Sequence, residues 1–149
     1  MNQNIFNIIC EKCGGGCCHG YEIFLIEPEV KKIIKSGLQF KYKKEGSGFL
    51  TVLGKRFDCF FLKAGLGCIL KKDQKPFDCD LFPLSFIYKQ GKFKFYLLKE
   101  CPYYKKISQT KIKQMKKIAL VKLKKWNEAE IKTYSRLIAA RQKSGLLAV

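Results

Sequence analysis

The eight cysteines Cys10, Cys13, Cys17, Cys18, Cys59, Cys68, Cys79 and Cys101 do most to restrict what this chain of 149 residues can fold into. So many thiols in one small chain either cross-link it or bind a soft metal. A disulfide framework needs an oxidising compartment. Residues 1–9 place no Lys or Arg ahead of their short apolar run and offer no small-residue cleavage site, so they do not read as a secretory signal. A cytoplasmic, reduced protein is the expectation. Inert buried thiols could account for one or two of the eight, but not for Cys10-x2-Cys13-x3-Cys17-Cys18.

That first cluster suits a soft ion. Cys10 and Cys13 form a short chelate loop, and Gly14, Gly15 and Gly16 let the backbone wrap closely while leaving N–H groups near thiolate or sulfide. Cys17 and Cys18 are adjacent, and neighbouring side chains diverge, so the two point to separate centres or leave one thiolate spare, with Cys18 the candidate. The later spacing, Cys59-x8-Cys68-x10-Cys79-x21-Cys101, is too loose for a self-contained zinc ribbon. These four would complete sites begun by the first cluster or pair across hairpins. Eight thiolates make two four-coordinate sites, or one cluster plus a zinc. Zinc and an iron–sulfur cluster, a 4Fe–4S type foremost, both fit an all-sulfur set, and Cys101-Pro102 resembles the end of ferredoxin cluster-binding runs. His19 reads as a surface or supporting residue, with replacement of one thiolate as the alternative. Asp58, Asp78 and Asp80 read as solvated or hydrogen-bonding acids rather than as an acid or base beside a metal.

The Cys10–Cys18 cluster, Phe57-Asp-Cys59-Phe-Phe-Leu62, Gly67-Cys68-Ile69, Lys75-Pro76-x2-Cys79-x2-Phe82-Pro83 and Cys101-Pro102 together resemble the YkgJ family of cysteine-cluster proteins. The resemblance covers Cys10 to about Pro102. It implies a zinc- or iron-chelating domain with all eight cysteines as ligands, and an activity loosely described as iron–sulfur oxidoreductase. A larger relative that methylates flagellin lysines carries a similar cluster, so a role in protein modification is also implied. Lys75 departs from the Arg found before this Pro in many relatives and weakens a bidentate anion contact there.

The expected fold is α+β: a small single domain of short hairpins and cysteine-rich metal-bearing loops, residues 1–106, followed by amphipathic C-terminal helices, residues 107–149, packed on it. Residues 21–26 alternate as a strand, and Glu27-Pro28-Glu29 starts a helix that stops at Gly37. Residues 40–44 and 49–53 flank a turn at Glu45-Gly-Ser-Gly48, and residues 85–88 and 93–98 flank another at Gln90-Gly91. Ile112, Met115, Ala119, Leu123 and Trp126 recur at helical spacing as a core-facing stripe. Asn127-Glu-Ala-Glu130 is a capping-box pattern opening a last helix, with Ile131, Tyr134, Leu137 and Ile138 on one face and an end near Gly145.

A formal charge of +18 invites a polyanion partner. Against that, only Arg56, Arg136 and Arg141 are arginines, and the lysines are spread along the chain, which favours solvated faces over nucleic acid or an acidic protein. No phosphate loop, dinucleotide turn, nucleophile elbow or HExxH pair is present, so no particular reaction is indicated. No apolar run approaches the ~20 residues that span a bilayer.

Overall fold

The computed structural model describes residues 22–54, 59–63, 67–99, 101, 104–140 and 146–149. They form a mixed α+β fold that gathers into two compact units, Met1–Asp80 and Leu81–Val149.

In the first unit, Ile23, Phe24, Leu25 and Ile26 are all buried, yet only Phe24–Leu25 pairs as strand β1. The strand is shorter than its alternating pattern because Ile26 already serves as the N-cap of helix α1, Glu27–Lys35. Pro28 fits the first turn, where a missing N–H costs nothing. The Glu29 carboxylate reaches back to accept from Ile26 N–H at 3.0 Å, half of a capping box, since Ile26 has no side-chain acceptor to complete it. Val30 and Ile33 form the buried face, and Gly37 ends the element at φ +88°, a conformation that favours glycine.

Strands β2, Tyr42–Glu45, and β3, Gly48–Thr51, make the expected hairpin, and β1 adds to β3 to give the order β1-β3-β2. Phe24 lies opposite Leu50 and Leu25 opposite Phe49. At the end of β3, Thr51 N–H donates to Ile23 carbonyl at 3.0 Å while Thr51 Oγ1 accepts from Ile23 N–H at 2.9 Å, so the hydroxyl of the fully buried Thr51 is satisfied. Two further elements have no counterpart in the sequence pattern. Strands β4, Leu62–Lys63, and β5, Gly67–Cys68, form a short antiparallel pair, and Phe77–Leu81 form a short helix, α2.

In the second unit, β6, Leu84–Lys89, and β7, Lys92–Leu98, pair across their full length. Gln90 and Gly91 have φ of +52° and +74°, the double left-handed turn whose twist matches that of the strands it joins. Strand β8, Leu146–Ala148, adds to β7 and completes the order β6-β7-β8. Helix α3, Gln109–Leu123, is capped by Ser108, whose Oγ accepts from Lys111 N–H at 3.3 Å. Ile112, Met115, Ala119 and Leu123 are buried, as their spacing requires. Helix α4, Glu128–Ala140, opens with the expected capping box: Asn127 Oδ1 accepts from Glu130 N–H at 2.8 Å, and Glu130 Oε2 accepts from Asn127 N–H at 3.0 Å. Tyr134 stacks on Phe86 of β6 at 4.5 Å between ring centroids and meets the edge of Trp126 at 5.9 Å. Such pairs add about 0.5–1.5 kcal/mol to the area they bury. Ser135 Oγ accepts from Tyr88 N–H at 2.7 Å, fastening α4 to the sheet. The expected end of the last helix near Gly145 lies outside the described residues. Among them, no helix is long and apolar enough to cross a membrane.

Candidate metal centre

Four of the eight candidate ligands, Cys10, Cys13, Cys17 and Cys18, lie outside the described residues, as do His19 and Asp58. The other four fall on elements whose local structure is clear. Cys59 is buried and opens a turn in which Leu62 N–H donates to its carbonyl at 3.0 Å. Cys68 is exposed and sits on β5 opposite Leu62, and Ile69 N–H extends the ladder to Phe61 carbonyl at 2.8 Å. One hairpin thus carries both cysteines, Cys59 at its entry and Cys68 on its return strand. Cys79 is partly exposed at the centre of α2. Cys101, in the second unit, is buried just beyond β7, where its N–H donates to Leu98 carbonyl at 3.2 Å and its carbonyl accepts from Tyr104 N–H at 3.1 Å. Among the described residues, no three His, Cys, Asp or Glu side chains come together as a metal-holding group.

Helix α2 has too few residues to be stable alone, and two carboxylates from the buried side hold its N-terminal turn. Asp78, only 2% exposed, accepts from Phe24 N–H at 2.9 Å and so joins the helix to β1. Glu29 accepts from Phe77 N–H at 2.7 Å through one oxygen and from Ile26 N–H through the other. Its acidity records the setting. Burial pushes the carboxyl up from 4.5 to about 7, the two backbone donors pull it down, and the neighbouring charges of Asp78 and Asp80 push it further up.

These contacts sort the acids that stand beside cysteines. Asp78 is a buried acceptor for backbone, in line with the hydrogen-bonding role expected of it, and Asp80 is half-buried with its N–H donating to Pro76 carbonyl at 3.1 Å. Lys75 closes a turn onto Lys71 carbonyl at 3.2 Å. Glu29 is the residue that sequence reasoning undervalued. It reads as an ordinary first-turn acid, and only its place three residues after a cap without a side-chain acceptor hinted that both its oxygens were needed.

No family model matches the chain, and no curated protein or solved structure is similar to it.

Proposed function

We propose that this is a metal-binding protein of the YkgJ type, which holds an iron–sulfur cluster, zinc or both through Cys10, Cys13, Cys17, Cys18, Cys59, Cys68, Cys79 and Cys101. The observation that carries the proposal is the Cys10-x2-Cys13-x3-Cys17-Cys18 run together with four further cysteines in a chain that has a single histidine. The donor set is soft throughout, which suits either group and disfavours calcium or magnesium. The anchoring of α2 supports it further. Asp78 ties the helix bearing Cys79 to Phe24, and Cys18 precedes Phe24 by only six residues, a span of at most ~20 Å of extended chain. Cys79 is therefore held beside Phe24, and the length of chain between Cys18 and Phe24 leaves the first cluster within reach of it.

Zinc would supply a structural clamp or a Lewis acid, and a cluster would supply electron transfer. An oxidoreductase-like role or a part in protein modification needs a redox-active centre or a spare thiolate, and in the latter case Cys18 is the candidate and the other seven cysteines hold the metal. The protein acts in the cytoplasm, with a redox or other protein as partner, and its lysine-rich surface suits a partner that is acidic.

Single Cys→Ser replacements with metal analysis test the ligand set. Loss of about one metal site or cluster per chain on replacing Cys10, Cys13, Cys59 or Cys79 supports it. Unchanged metal content across all eight replacements contradicts it.

A further inference from the structure

Helix α3 keeps a charge pattern that helix stability does not ask for. Helices α1 and α4 both place a glutamate at the third position, Glu29 and Glu130, where it caps the N-terminus and complements the helix dipole. Helix α3 places Lys111 there and has no acid in its first turn. The chain carries no Asp or Glu at all from Cys101 to Trp126. Lys113 and Lys117, four residues apart on one face, repel each other. A pattern that works against the helix on three counts calls for an external anion.

The same helix carries the two most exposed large aliphatic side chains among the described residues, Ile118 at 54% and Val121 at 62%. They lie three positions apart, on the side away from the buried row of Ile112, Met115, Ala119 and Leu123. Gln114 and Lys125 extend their row, and Lys113, Lys117 and Lys124 run alongside, all exposed. The face is therefore an aliphatic crest flanked by lysines.

We infer that this face of α3, centred on Ile118 and Val121, docks on an anionic lipid surface. The inference rests on reading the lysine-rich surface as one that meets an acidic partner, and not on the metal centre. A nucleic acid would gain from stacking aromatics or forked arginines, and the exposed face of α3 offers neither. Protein interfaces favour aromatics and arginine and are depleted in lysine. Lysines whose stems lie along aliphatic side chains while their ammonium groups reach phosphate and carboxylate headgroups match the bilayer boundary. A point charge serves there as well as a forked guanidinium, and each lysine near such a surface strengthens binding about fivefold.

The test is flotation of the full chain with vesicles of equimolar phosphatidylcholine and phosphatidylserine, beside pure phosphatidylcholine vesicles and a duplex oligonucleotide. The expected result is partition onto the anionic vesicles alone. It should weaken about tenfold in Ile118→Ser/Val121→Ser and about twentyfold in Lys113→Gln/Lys117→Gln. All four sites are exposed, so unchanged helical circular dichroism should accompany both losses, and Ile118→Ala/Val121→Ala provides a second variant of the crest. Binding to the oligonucleotide that needs the lysines but not the crest, without partition onto vesicles, overturns the inference and leaves an acidic partner standing. Binding to none of the three overturns both.

Discussion

The Glu29 carboxylate accepts a hydrogen bond from Phe77 N–H, a residue 48 positions later, at 2.7 Å. Its carboxyl is raised from 4.5 to about 7, chiefly by burial, so the folded chain holds that proton more tightly than the unfolded one. The stability this lends is complete below pH 4.5 and is lost as pH rises through 7. Urea unfolding across that window should show a decline of up to about 3 kcal/mol. Glu29→Gln turns an amide NH2 toward one of the two backbone donors. It should cost about 1–3 kcal/mol at pH 5 and flatten the decline. A slope that survives the substitution would assign it to another group.

Asp78 anchors the same helix from its own side. Asp78→Ala removes the acceptor of the buried Phe24 N–H, which leaves an unpaired donor and costs about 1–3 kcal/mol. Asp78→Asn keeps an oxygen for that donor and should lose less. Equal midpoints for the two variants in denaturant titration would mean that the hydrogen bond to Phe24 is not what matters there.

Gly48 is required by a close approach. A Cβ at this position would overlap the Phe24 ring and come within 2.8 Å of the Leu25 carbonyl oxygen. Gly48→Ala should destabilise by about 1–3 kcal/mol, as overpacking does elsewhere. Gly91→Ala, at φ +74° in open space, strains the turn without meeting a neighbour. Thermal unfolding should therefore find Gly48→Ala rescued in part by Phe24→Leu, while Gly91→Ala is not.

Cys68 is exposed, whereas Cys59 and Cys101 are buried. Exposure alone would make Cys68 the first of the four described cysteines to be alkylated. If it is a metal ligand, maleimide should label it slowly in the protein as isolated and rapidly after a chelator or acid removes the metal. Rapid labelling from the outset, identified by mass spectrometry, would remove Cys68 from the ligand set.

The elements governed by local chemistry are legible in the amino-acid sequence. The Gln90-Gly91 turn needs two left-handed residues, Asn127 and Glu130 satisfy one another, and Gly37 stops α1, so each signal lies within a few residues of its effect. What sequence reading misses is held from far away. Helix α2 depends on Glu29 and on the Asp78 bond to Phe24, and β8 is a strand because Leu146–Ala148 meet Tyr96–Leu98. Neither has a local signature. For the candidate site, spacing names the eight cysteines but cannot say that one hairpin carries Cys59 and Cys68, because β4 and β5 have only two residues each. Strands that short show no period to read.

The central claim is that the cysteines bind metal, and its most direct test is elemental analysis with a visible absorption spectrum on protein purified without oxygen. Iron with acid-labile sulfide and a broad band near ~400 nm, or about two zinc per chain without colour, is the result expected. Metal-free protein in which no cysteine reacts with a thiol reagent would contradict the claim and make the cysteines a disulfide framework.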